Sequence, residues 1–132
     1  MEGNSVNAAP LKPPHKGKRG LVRVWRACGY ALSGLAAAFR HEDAFRQEAV
    51  LAAILIPVAF LTPSAPLAKA LLVASVLLVL IVELLNSALE AAVDRISLES
   101  HVLAKRAKDI GSAAVFLSLV NLLVVWGVVL LS

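Results

Sequence analysis

Cysteine is nearly absent. The single residue, Cys28, has no partner for an intrachain disulfide, so no covalent staple holds the fold. Charge is scarce too: Asp, Glu, Lys and Arg make up 17% of the chain, against about a quarter in a soluble domain. With 59% hydrophobic residues in a chain of 132, a soluble fold would leave much apolar sequence on the surface of so small a body. The glycine-rich phosphate loops are also missing. There is no GxxxxGK[ST], no GxGxxG and no kinase HRD or DFG set. His41-Glu42 is not a zinc signature, because no second histidine follows at helical spacing. A basic N-terminus suits nucleic acid as well as lipid, but no nucleic-acid motif follows it, so lipid is the better reading and no nucleic-acid partner is expected.

What the chain does have is long apolar runs and a lopsided charge. The net charge is +4, and Lys12, Lys16, Lys18, Arg19, Arg23 and Arg26 all precede Ala27, opposed there only by Glu2. Such a basic start suits anionic lipid headgroups. Residues 1–19, with Pro10, Pro13 and Pro14 and no apolar period, are expected to form a disordered tail. The apolar set Leu21, Val24, Trp25, Cys28, Leu32, Leu35 and Phe39 lies on one stripe of a helix over residues 21–40. Arg23, Arg26 and Tyr30 take the opposite face. A basic amphipathic helix of this kind belongs in the plane of the membrane interface.

The polar segment 41–48 breaks that pattern and is read as a connection to a first membrane span over 49–61. That span is short for a hydrocarbon core of about 30 Å and contains Pro57. The uncharged stretch Thr62-Pro63-Ser64-Ala65-Pro66 is a tight turn. A second span runs over 67–93, a charged loop over 94–109 and a third span over 112–131. The expected fold is thus an all-α membrane protein, with a membrane domain over 20–132 made of a surface helix and three transmembrane helices. Lys and Arg crowd the N-terminal segment and the 94–109 loop, so both face the cytoplasm and the C-terminus faces the periplasm.

The second span carries Glu83, Asn86, Glu90 and Asp94 on one helical face. An acid near the middle of a membrane helix costs about 2.5–3.5 kcal/mol on insertion scales. One buried Glu can act simply as interhelical hydrogen-bonding glue; three acids and an amide on one stripe point to function. A proton path would need acids through the full membrane depth, whereas the spans over 49–61 and 112–131 contain none. A divalent cation takes oxygen ligands, and Mg²⁺ is commonly held by one or two carboxylates together with phosphate oxygens. Arg23, Arg26, Arg46, Arg106 and Lys108 lie on the same membrane side, which suits phosphoryl transfer at an interface.

Three segments carry a family likeness: Ala44-Phe45-Arg46-Gln47-Glu48, then Ile81-Val82-Glu83-Leu84-Leu85-Asn86-Ser87-Ala88-Leu89-Glu90-Ala91-Ala92-Val93-Asp94-Arg95, then Arg106-Ala107-Lys108-Asp109-Ile110-Gly111-Ser112-Ala113-Ala114-Val115. From about Arg23 to the C-terminus the chain resembles the small bacterial integral-membrane diacylglycerol kinases, a family that also includes undecaprenol kinases. The resemblance implies an inner-membrane homotrimer that phosphorylates diacylglycerol to phosphatidic acid with MgATP. It implies Glu83 as catalytic base and Glu42 and Glu90 as metal carboxylates. Arg23, Tyr30, Glu99, His101, Lys108 and Asp109 correspond to nucleotide contacts, joined there by Glu42 and Glu90. Ala44, Arg46, Gln47, Glu48 and Ser112 correspond to residues lining the substrate site, with Arg23 and Glu83, while Asn86 and Asp94 support it. The chain departs from the family pattern at Ala31-Leu32-Ser33, where Ser-Trp-Lys is usual, and at Ser100, where Tyr is frequent.

Two other functions remain compatible with the residues: the same chemistry on undecaprenol, and a small transport or structural membrane protein without ATP turnover. The topology has a direct test. In a Cys28→Ser background, Ser64→Cys is expected to react with a membrane-impermeant thiol reagent from the periplasmic side, and Ser100→Cys is not. The reverse labelling would put the acids on the side without ATP.

Overall fold

The computed structural model describes residues 18–96 and 101–132 and consists there of four helices, with no strand among the described residues: α1 (Lys18–His41), α2 (Asp43–Leu61), α3 (Pro66–Ile96) and α4 (Val102–Leu131). Residues 1–17, most of the expected tail, lie outside the description. The described chain divides into two compact units between Gly34 and Leu35. In the first, α1 carries its apolar residues Leu21, Val24, Trp25 and Leu32 exposed, as an amphipathic interfacial helix does.

The second unit holds three helices that are long and apolar enough to cross a membrane. α3 packs against α2 and, more extensively, against α4. The core joins Ala52 and Ala59 of α2 to Leu72, Val76 and Val79 of α3 and Leu122 and Trp126 of α4. The two alanines, seven positions apart on one face, let the backbones of α2 and α3 approach closely. Much of the remaining apolar surface, including Ile54, Phe60, Ile81, Phe116 and Leu123, is exposed. In lipid this carries no penalty, since acyl chains are as apolar as those side chains.

Two boundaries differ from the sequence reading. The helix that carries the first expected span starts before residue 49: α2 begins at Asp43, so most of the polar connection is helical. Only Glu42 interrupts, in extended conformation (φ −118°, ψ 107°), and its amide still donates to the Ala38 carbonyl at 2.9 Å. Asp43 sits in the favourable first turn of α2 and pairs with Arg46 three residues on, while Arg40 and His41 occupy the last turn of α1. The 94–109 loop is likewise mostly helix. α3 continues to Ile96 and α4 begins at Val102, leaving residues 97–100 outside the description. At about 1.5 Å per residue, α3 is about 46 Å long, which carries its last turns beyond a hydrocarbon core of about 30 Å.

At the uncharged turn the last carbonyls of α2 are closed off locally. Thr62 Oγ1 donates to the Ala59 carbonyl at 2.7 Å, and Lys69 Nζ donates to that of Phe60 at 2.9 Å. Deeper in the bundle, Trp126 Nε1 donates to the Leu72 carbonyl at 3.3 Å and to Ser75 Oγ at 3.2 Å, while Ser75 Oγ donates to the same carbonyl at 2.7 Å. Trp126→Phe keeps an aromatic ring but loses the donor and the five-membered ring that carries it. It is expected to cost more than about 0.6 kcal/mol, the average for an interhelical hydrogen bond in a membrane, because packing is lost as well, measured by thermal unfolding in detergent micelles. Turnover per folded protein is expected to be unchanged.

Candidate active site

The acids of α3 lie where that helix passes between its neighbours. Glu83 is buried, 5% exposed, in a helix whose preceding turns are apolar. Asn86 and Glu90 are half-buried one and two turns on, and Asn86 Nδ2 donates to Glu90 Oε1 at 3.4 Å. Because α2 begins at Asp43, the first membrane helix contributes an acid after all: Glu48, half-buried, with Oε2 unpartnered among the described residues. Glu48 feels the charge of Glu83, and Glu83 feels that of both Glu90 and Glu42. Four carboxylates from α2, its N-cap and α3 therefore share one region.

The described ion pairs all lie elsewhere: Arg46 with Asp43, Lys105 with Asp109 at 2.7 Å, and Lys108 with Asp94 at 2.5 Å. None of Glu42, Glu48, Glu83 and Glu90 belongs to a described pair. Lys108, paired with Asp94, also feels the charge of Glu90, but so much like charge in one region still invites a metal ion or a proton. The donor set, all carboxylate oxygen, fits a hard divalent cation. Among the described residues, no three His, Cys, Asp or Glu side chains come together as a ready-made metal cage. Glu42 and Glu90 would thus bind such an ion only with further oxygens from a substrate phosphate, the usual arrangement for Mg²⁺.

α4 brings basic groups to the same end of α3. Lys108 reaches Asp94 across the two helices, and Lys105, Arg106 and Asp109 sit in the neighbouring turns. The lysine pairs are largely exposed, so they add little stability. His101 serves as N-cap of α4, its Nδ1 accepting from the Leu103 amide at 3.1 Å. Ala44, Gln47 and Ser112 are exposed, and Arg46 is half-buried on its Asp43 partner. Arg23 and Tyr30 are exposed on the unit that ends at Gly34. Glu99 lies outside the described residues, as does Ser100.

Three residues escaped the sequence reading. Asp43 holds Arg46; its signal was the i, i+3 acid–base pair. Phe45 is buried among polar neighbours and anchors the first turn of α2. Gly111 is buried where α4 meets Asn86, a register that no local pattern reveals.

Known proteins share this arrangement of sequence. The model of the prokaryotic diacylglycerol kinase family matches residues 29–130, a stretch that includes all four clustered acids and Lys108 but not Arg23. A Pseudomonas aeruginosa protein named diacylglycerol kinase is 56% identical over 118 residues, covering 89% of this chain and 96% of that relative. An Escherichia coli protein of the same name is 45% identical over 113 residues, covering 86% and 93%. A Helicobacter pylori protein, also so named, is 40% identical over 119 residues, covering 90% and 92%. With its three apolar spans, the chain takes its place among bacterial inner-membrane proteins. It belongs to the prokaryotic diacylglycerol kinase family.

Proposed function

We propose that this protein transfers the γ-phosphate of MgATP to the free hydroxyl of diacylglycerol at the cytoplasmic membrane interface, giving phosphatidic acid and ADP. Family membership supports the lipid kinase activity. The observation that carries the assignment of the site is the carboxylate cluster of Glu42, Glu48, Glu83 and Glu90 beside Lys108.

In this reading Glu83 takes the proton of the lipid hydroxyl as its oxygen bonds to the γ-phosphorus, while the bridging P–O bond to ADP breaks. Diacylglycerol carries that hydroxyl near the headgroup level, and Glu83 faces it from within the bundle. Glu42 and Glu90 would hold a divalent cation, which when bound would offset negative charge on the phosphate oxygens. Lys108, drawn from Asp94, meets the phosphates, and Arg23, Tyr30, Glu99, His101 and Asp109 contact the nucleotide. Ala44, Arg46, Gln47, Glu48 and Ser112 border the lipid site, and Asn86 supports Glu90. The N-terminus is cytoplasmic, the C-terminus periplasmic, and the working assembly a homotrimer.

Glu83 and Glu90 are seven residues apart on α3, about 10 Å along the axis. One ion cannot bind both directly, so their roles must differ. Glu90→Gln is expected to weaken the response to Mg²⁺, with activity partly recovered at high Mg²⁺. Glu83→Gln is expected to lower kcat by about 10²–10⁴ with no recovery at any Mg²⁺ concentration. Its fold should be at least as stable as wild type, since a desolvated carboxylate is gone. A misassembled Glu83→Gln protein, or one with near-normal turnover, would return Glu83 to a packing role.

A further inference from the structure

Gly111 sits buried in α4 directly against Asn86 of α3. A Cβ built there would collide with Asn86 Oδ1 and stand 3.3 Å from Asn86 Cγ and 3.1 Å from Leu89 Cδ2. The Asn86 oxygen is itself buried and has no hydrogen-bond partner among the described residues. Its nitrogen, at the other end of the amide, donates to Glu90 Oε1. The amide cannot be turned round to relieve the oxygen, because that would set an amide oxygen against a carboxylate. Asn86 is thus held in one orientation, with Glu90 on its donor side and bare glycine backbone on its acceptor side. An unpartnered buried acceptor is an unfavourable arrangement that calls for an explanation. The hydrogen bond to Glu90 supplies one.

We infer that Gly111 is a positioning residue: lacking a side chain, it leaves room for the Asn86 amide between α3 and α4, and Asn86 in turn aims the Glu90 carboxylate at a divalent cation. The inference rests on the reading of Glu90 as a metal carboxylate. A methyl group at position 111 displaces Asn86 and frees Glu90 to turn away, although neither Gly111 nor its replacement touches the ion. Leu89 is the other neighbour, and its flexible side chain can move aside.

The test uses full-length protein in detergent micelles, with Mn²⁺ and the non-hydrolysable β,γ-methylene analogue of ATP as the probe and protein-bound Mn²⁺ read by electron paramagnetic resonance. Gly111→Ala is expected to weaken Mn²⁺ binding about tenfold, the lower end of what loss of a group orienting a metal ligand costs. Asn86→Ala should weaken it equally, and the double variant no further. The clash has its own signature in thermal unfolding. Gly111→Ala should lower the midpoint modestly in the wild-type background and less in Asn86→Ala, while Leu89→Ala should not relieve it. If Gly111→Ala alone does not assemble, recovery of folded protein in the double variant supports the inference and lack of recovery overturns it. Wild-type Mn²⁺ affinity in Gly111→Ala beside a weakened Glu90→Gln would overturn this inference alone. Wild-type affinity in Glu90→Gln would overturn the metal reading and this inference together.

Discussion

A carboxylate carried into a bilayer by a helix loses the water that stabilises its charge, and the chain offers Glu83 little in return. It is buried in α3, and no described cation pairs with it. Insertion of such an acid costs about 2.5–3.5 kcal/mol, a cost that α3 meets with the apolar turns before it. Glu48 and Glu90 add to the burden, since like charges in one region raise each other's energy. A purely structural design would neutralise such a cluster with arginine or replace it with leucine. Leaving it unneutralised keeps the site open to a cation and a transferable proton, which is what phosphoryl transfer to an alcohol needs.

The rest of the bundle is arranged around that exception. At the uncharged turn, polar groups are closed within the protein: Thr62 and Lys69 on the last carbonyls of α2, and Trp126 and Ser75 on the Leu72 carbonyl. At the charged end they are left incomplete. Glu48 Oε2 and Asn86 Oδ1 have no described partner, and the described ion pair of Lys108 is with an exposed carboxylate that a phosphate can replace. Gly111 and Trp126 are fifteen residues apart on α4, or about 22 Å, so the same two helices carry a sealed anchor and an open site. At the open end, Gly111 brings α4 close to Asn86.

Much of this was legible in the sequence, because both solvents leave clear patterns. Apolar runs marked the three helices long enough to cross a membrane, and the spacing of Glu83, Asn86 and Glu90 marked one face of α3. The boundaries were less legible, for one reason in both cases. Charged residues in 41–48 and 94–109 read as connections, yet helices that leave the hydrocarbon core continue into the interface, where charge and helix coexist. The i, i+3 pair Asp43–Arg46 and the i, i+4 pair Lys105–Asp109 were the helical signs within those segments. Contacts between helices stayed hidden. Lys108 meeting Asp94, and Gly111 meeting Asn86, depend on the register of α4 against α3, which no single-helix pattern encodes.

Transfer of phosphate onto diacylglycerol is tested most directly by incubating the purified protein in mixed micelles with γ-labelled ATP, Mg²⁺ and either diacylglycerol or undecaprenol, and following label into the lipid phase. The account predicts rapid, Mg²⁺-dependent labelling of phosphatidic acid and much slower labelling of undecaprenyl phosphate. Preferential labelling of undecaprenol would contradict the substrate, and no transfer to either lipid would contradict the account as a whole.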